Sequence, residues 1–485
     1  MDLFMPEIII LITAILVIIT DLFLTKSKRY LAYLSLLGLA AAAVATALNW
    51  NNPPEMAFGG MLALDSYSSF FRILFICLSG LVIMASTDYV TKFKRFQGEY
   101  YALVLFALLG MIMMASTANL ITMYLSLELA GLSFYVLVGF LKDQNSTESA
   151  LKYLLLGGVA SAMLVFGLVI IYGFSGETNL GGIVNYIQTL PAGTDITTHA
   201  GLLLGIILTI TGLGFKVAAV PFQFWVPDVY QGSPTPITLY LSIASKAAGF
   251  ALFLRLFYTV FTDPLALSQE WAMIIAILAA VGMTLGNVLA IPQKNIKRML
   301  GYSSIAHAGY ILVALAAVGN APELADGRIS LLFYLVAFAV SDLAAFISII
   351  AISRSTGSDE ISSYEGLAKT NPVYASALTL ALLSLTGFPP LAGFLAKYYI
   401  FSASVQADML WLMIIAAVNT VISAVFYFNV IRVMWLRPAR QDVRVLASWP
   451  LKLALGISGL AVLIFGIVPE TLLNLIEKAA ELIIH

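Results

Sequence analysis

The sequence predicts an all-α, polytopic membrane protein with about fourteen transmembrane helices, and three observations carry that prediction. Of 485 residues, 61% are hydrophobic and only 11% are charged, with a mean hydropathy of +0.96. An average soluble domain carries roughly 25% charged residues. Apolar runs of about 20 residues recur from end to end, each long enough as a helix to cross a hydrocarbon core of about 30 Å. Lysine and arginine, finally, concentrate in every second connection between those runs. No soluble domain fits between them.

Polar breaks place the span starts near Phe4, Tyr30, Tyr67, Tyr100, Ala118, Ser149, Ala200, Pro236, Trp271, Ile296, Ser330, Pro372, Trp411 and Pro450. The first run, Ile8 to Thr20, follows Asp2 and Glu7 with no basic flank and no small-residue cleavage site, so it reads as a retained helix and not as a signal peptide. One set of connections holds Lys26, Lys28, Arg29, Lys92, Lys94, Arg95, Lys142, Lys294, Lys297, Arg298, Arg354, Lys369, Arg437, Arg440 and Arg444; the other holds essentially Arg328 alone. The positive-inside rule then puts the first set in the cytoplasm and both termini on the outer side of the membrane. Glu470 to His485 alternates Leu472, Leu473, Ile476 and Ala480 with Glu470, Asn474, Glu477 and Glu481, an amphipathic helix for the outer surface whose apolar face suits a partner helix.

Two spans carry breakers in their middle: Gly212 to Asp228, with Pro221 and Pro227, and Leu385 to Lys397, with Gly387, Pro389 and Pro390. Proline removes an intrahelical hydrogen bond, and within lipid the orphaned carbonyl is tolerable only where protein or water meets it. Paired broken helices at corresponding places point to an inverted-repeat transporter. The expected organisation is helices 1–3 in residues 1–98, a first five-helix repeat in 99–262 and a second, inverted one in 263–440. The seventh and twelfth helices are broken, and residues 441–485 hold helix 14 and the amphipathic helix.

Glu128, Lys216, Lys246 and Lys397 each lie inside an apolar stretch. A charge near the centre of a membrane helix costs roughly 2.5 to 3.5 kcal/mol on insertion scales, so such residues mark a path for charge. A lysine out of water with a carboxylate beside it can exist charged or neutral, which is what a proton relay needs. The rival reading for Glu128 is a structural carboxylate bound to a neighbouring helix; for Lys216 and Lys397 it is snorkelling to the interface. Lys246, about 15 Å of helix beyond Pro236, is too deep for that. His307, the intramembrane histidine, suits a bridge between two lysines, with hydrogen bonding for packing as its alternative. Lys152 stands four residues after Glu148, where an interfacial ion pair competes with a proton role. Arg72, Arg255, Asp342 and Arg432, near helix ends or without an obvious partner, are given no catalytic role.

A net charge of −1 leaves no basic face for nucleic acid. A single cysteine, Cys77, rules out disulfides within the chain and thiolate clusters.

The stretch FKVAAVPFQFWVPDVYQGSPTPIT, Phe215 to Thr238, running on to Ser245 and Lys246, resembles the signature of the antiporter-like subunits of respiratory complex I, the NADH-quinone oxidoreductase, and of Mrp-type cation/proton antiporters. The wording from Asp228 to Gly232, the length and Lys397 are similar to the complex I branch. The resemblance implies an all-helical fold with inverted repeats, and a translocase complex that passes electrons from NADH to quinone. It implies a fifth-helix glutamate at Glu128 paired with the seventh-helix Lys216, a connecting Lys246 on the eighth helix and a twelfth-helix Lys397. FMN, iron-sulfur clusters and quinone are expected in other subunits, with no cofactor or metal in this chain. No Gly-x-Gly-x-x-Gly fingerprint stands in a strand–helix setting. Where relatives closest to true antiporters carry histidine, this chain has Gln223. The expected function is proton translocation within the complex, with other membrane subunits, the lipid bilayer and protons as partners. An Mrp-type antiporter subunit and a non-conducting scaffold are the rivals.

Overall fold

The computed structural model describes residues 2–23, 28–50, 52–92, 96–189, 200–439 and 444–481. Lys26, Lys94, Arg95, Arg440 and the last residues of the expected amphipathic helix lie outside them. The chain opens with the antiparallel pair α1 (Met5–Phe23) and α2 (Arg29–Leu48), then α3 (Ser66–Ser86), α4 (Gln97–Ser116), α5 (Leu120–Val138) and α6 (Gln144–Ser175). A short α7 (Leu180–Gln188) precedes α8 (Ala200–Val217), α9 (Trp225–Gly232), α10 (Thr235–Tyr240) and α11 (Lys246–Val260). The second half holds α12 (Leu265–Ala290), α13 (Ile296–Asn320), α14 (Asp326–Thr356), α15 (Leu367–Thr370), α16 (Pro372–Thr386), α17 (Ala392–Gln406), α18 (Leu410–Leu436), α19 (Trp449–Ile467) and α20 (Glu470–Glu481).

Among the described residues, 13 helices are long and apolar enough to cross a membrane, α10 and α11 counting as one. The remaining expected crossing is divided between α16 and α17, each of 15 residues and too short alone. Both breaks fall where the prolines predict them: residues 218–224 separate α8 from α9, and residues 387–391 separate α16 from α17.

Two small elements have no counterpart among the expected ones. A β-ribbon pairs β1 (Glu55–Ala57) with β2 (Leu62–Leu64) across a turn in which Gly59 and Gly60 take positive φ. Ala118 donates to Met61 O at 2.9 Å and the Asn179 amide to Gly60 O at 2.7 Å, so the ribbon ties the starts of α5 and α7 together. Asn179 also caps α7, which is why nine residues suffice for a helix there.

The centre of the molecule is α14, buried from Ser330 to Ile352, with α10, α13, α16, α17 and α19 packed around it. The amphipathic α20 lays Leu472, Ile476, Ala479 and Ala480 against α3 and α14, so its apolar face is covered by its own chain. Arg72 and Arg255 are paired, contrary to expectation. The Arg72 guanidinium meets Glu7 at 2.7 Å, and Arg255 meets Asp65, the N-cap of α3, at 2.8 Å. Tyr67 adds a hydrogen bond to Ala251 O at 2.8 Å. Breaking a buried pair by removing one partner costs about 3–5 kcal/mol, so these contacts weld α1 and α3 to one another and to α11. At the other end Asp88 accepts from Ser448 N at 2.9 Å and from Arg354 at 2.8 Å. Burial pushes the Asp88 carboxyl up, but those donors outweigh it and hold it below the usual carboxylate range.

Candidate functional site: a row of buried ionisable groups

The first group stands at the end of α8. Lys216 is 4% exposed, and its ammonium sits 5.6 Å from the centre of the Phe134 ring. Its stem passes where Gly249 of α11 leaves room, since a Cβ there would lie 3.3 Å from Lys216 Cγ and 2.8 Å from Val217 Cγ1. Beyond Val217 the helix stops, and Phe215 O accepts from Ala218 N at 3.2 Å and from the Trp225 indole at 3.1 Å. Tyr153 stacks on Trp225 at 4.5 Å and closes this plug. Glu128, on α5, accepts a hydrogen bond from Ser161 of α6 and is electrostatically coupled to Lys216. The two make no ion-pair contact within 4.0 Å, and the Lys216 ammonium has no hydrogen-bond partner among the described residues.

The second group is Lys246, 1% exposed, at the start of α11. A π-helical turn, Leu241–Ser245, precedes it. Such turns add a residue to the helix and re-aim the side chains around it. Lys246 donates to Ser304 O at 2.7 Å and to Ser304 Oγ at 2.5 Å. The same hydroxyl meets Tyr230 and Ser242, each at 3.2 Å.

One turn along α13, His307 has Nδ1 2.8 Å from the Tyr334 hydroxyl and Nε2 3.1 Å from that of Tyr427, which is bonded to Ser303. His307 feels both Lys246 and Lys397. Between His307 and Lys397 lies a cavity of about 10 Å³ edged by Tyr334, Ser341 and Ser384, about the room that one water requires.

Lys397, 4% exposed, closes the row on α17. It donates to Thr386 O, the last residue of α16, at 2.8 Å, and lies 4.8 Å from the Tyr310 ring centre. Gly387, at φ +91°, makes the turn between them; a Cβ there would meet Lys397 Cδ at 2.9 Å.

The fold thus gathers Glu128, Lys216, Lys246, His307 and Lys397 from five helices, and neither Lys216 nor Lys397 snorkels to an interface. Lys152 stands apart. It is 44% exposed and pairs with Glu148 at 2.8 Å and with Asp228 at 2.9 Å, while Arg298 takes the other Asp228 oxygen at 2.6 Å. Asp342, taken from the sequence as lying near a helix end or lacking a partner, does neither. It sits in the middle of α14, 2% exposed, against Ser242 and coupled to Lys246. Its position in an apolar 31-residue helix was the available signal. Among the described residues, no three His, Cys, Asp or Glu side chains gather as a metal ion requires.

Residues 117–423 match the family described as NADH:quinone oxidoreductase/Mrp antiporter, transmembrane region, and residues 7–115 match the amino terminus of NADH-ubiquinone oxidoreductase chain 4. The chain is 90% identical to NADH-quinone oxidoreductase subunit N of Dehalococcoides mccartyi strain BAV1 over 485 residues, 100% of each. It belongs to the subunit N family of NADH-quinone oxidoreductases. As a subunit N, it is an antiporter-like membrane subunit of complex I, an enzyme complex whose other subunits are its partners. Subunit N of Heliobacterium modesticaldum is 41% identical over 456 residues, 94% of this chain and 93% of that one. A chain of respiratory complex I from Thermus thermophilus with bound aureothin superposes with a TM-score of 0.78 at 31% identity, covering 97% of this chain and 98% of its own. A chain of the Mrp complex from Dietzia shares the fold, with a TM-score of 0.83 at 20% identity over 99% and 96% of the two chains.

Proposed function

We propose that this subunit moves protons across the membrane, driven by electron transfer from NADH to quinone in the other subunits. Protons enter near Glu128 and Lys216, pass Lys246 and His307 with water between them, and leave near Lys397. The observation that carries the reading is the row itself: three lysines and a histidine, each buried in a membrane-spanning chain, with hydroxyls or a water-sized cavity beside them. Charges at such depth are costly and persist where they serve transport. Lysine suits the work because it can release its proton, whereas arginine stays protonated. Lys152, at the exposed end of α6, receives protons from bulk water on this reading. FMN, iron-sulfur clusters and quinone belong to other subunits, and this chain supplies translocation alone. On this reading residues 1–98 hold helices 1–3, 99–262 and 263–440 are the two inverted five-helix repeats, and 441–485 hold helix 14 and the amphipathic helix.

In the assembled complex, Lys216→Ala should reduce proton pumping and coupled quinone reduction by about tenfold, the effect of roughly 1.4 kcal/mol on a barrier, without loss of assembly. Lys216→Arg should be impaired as well. Full pumping by both variants in sealed vesicles rules the reading out.

The subunit sits in the bacterial inner membrane with both termini outside, an orientation supported by the distribution of lysine and arginine. Cysteine at Ser358 should react with an impermeant maleimide from the cytoplasmic side, and cysteine at the exposed Glu177 from the outer side. The reverse pattern inverts the orientation.

A further inference from the structure

We propose that Asp342 is the acidic partner of Lys246, giving the chain a second carboxylate–lysine pair besides Glu128 and Lys216; the inference rests on the proton reading above and adds a residue to it. Asp342 is sixteen residues into α14 (Asp326–Thr356), about 24 Å of helix from its start, so its short side chain reaches neither interface. It is 2% exposed, and its Oδ2 has no hydrogen-bond partner among the described residues. A buried carboxylate oxygen without a partner is expensive and calls for an explanation.

The surroundings supply one. Ser242 faces it from the π-helical turn and Lys246 from the next turn of the same segment, and its charge also reaches Tyr230 on α9 and Tyr427 on α18. An ammonium has three donors. Two of those on Lys246 go to Ser304 O and Oγ, and the third is uncommitted, while the Asp342 carboxylate stands more than 4.0 Å from the ammonium.

The contrast with the structural pairs decides the role. Glu7 and Asp65 are locked on arginines at 2.7 and 2.8 Å. An arginine does not give up its proton, so those pairs are permanent. The counter-charge of Asp342 is a lysine, which does. The step is a net proton transfer relayed by water across that gap: an N–H bond of the Lys246 ammonium breaks as its proton passes to the water, the water gives up a proton on its far side, an O–H bond forms on the Asp342 carboxylate, and a charged pair becomes a neutral amine and a neutral acid. The Tyr427 hydroxyl, bonded to His307 Nε2 at 3.1 Å, continues from there toward Lys397.

The test uses the intact complex in sealed membrane vesicles, with pumping and quinone reductase turnover expressed per assembled complex. Asp342→Asn and Lys246→Met should each lower pumping about tenfold, the effect of one lost close charge partner. The double variant should be no worse than the weaker single, and Asp342→Glu should regain part of the loss. Normal pumping by Asp342→Asn beside an impaired Lys246→Met overturns this inference and leaves the proton reading standing. Normal pumping by Lys246→Met removes Lys246 from the path and overturns both. If Asp342→Asn fails to assemble, the variant neutral at both positions should assemble again; if it does not, Asp342 braces the helix and the inference fails.

Discussion

The two broken helices hold a lysine each, and they hold it differently. Lys216 stands before its break, on the last turn of α8, with a carboxylate as its electrical partner, an aromatic face near its ammonium and no hydrogen bond among the described residues. Lys397 stands after its break, in the second turn of α17, with its ammonium on the carbonyl of Thr386 across the gap. At the first break the Phe215 carbonyl is met twice, by the Ala218 N–H at 3.2 Å and by the Trp225 indole at 3.1 Å. At the second the lysine itself meets the freed carbonyl. The first lysine is free to change its charge without opening the backbone, whereas the second cannot leave its position without exposing a buried acceptor.

That difference makes the two positions separable by mutation. Lys397→Met should destabilise the second break by about 1–3 kcal/mol, the cost of an unmet buried acceptor, as well as depressing pumping. Lys216→Met should depress pumping alone. Lys397→Arg sharpens the comparison, because a donor is kept and a releasable proton is not: thermal stability should return while pumping does not. Thermal denaturation of the purified complex, followed through this subunit, measures the first quantity, and acidification of sealed vesicles measures the second. Equal stability of Lys216→Met and Lys397→Met contradicts the contrast.

Much of this site is legible in the sequence because charge inside an apolar run is conspicuous. Glu128, Lys216, Lys246 and Lys397 announce themselves that way, and Pro221, Pro389 and Pro390 mark the breaks. What the sequence does not reveal is pairing at a distance. Arg72 meets Glu7 across 65 residues and Arg255 meets Asp65 across 190, with no periodicity to connect them. Asp342 was passed over because its partner, Lys246, lies 96 residues earlier on another helix, and a lone carboxylate offers no spacing to read. Ser304, Tyr334 and Tyr427 are ordinary residue types whose hydroxyls matter only once α13, α14 and α18 are packed together. The β-ribbon and α7 are too short to leave a periodic trace, although Gly59-Gly60 and the Asn179 cap were visible marks of where they turn and begin.

The central claim is that Glu128 and Lys216 act on a proton together, across a gap wider than an ion-pair contact. A double-mutant cycle in the assembled complex tests it most directly, with pumping per NADH oxidised as the readout. Glu128→Gln alone should cost a few-fold, less than Lys216→Met, since the carboxylate assists the lysine and does not replace it. Combined, the two should cost no more than Lys216→Met by itself, and Glu128→Asp should keep part of the activity. Losses that multiply independently, or a Glu128→Gln variant that only lowers the amount of assembled complex, would mean that Glu128 braces α5 against α6 through Ser161 and that Lys216 works without it.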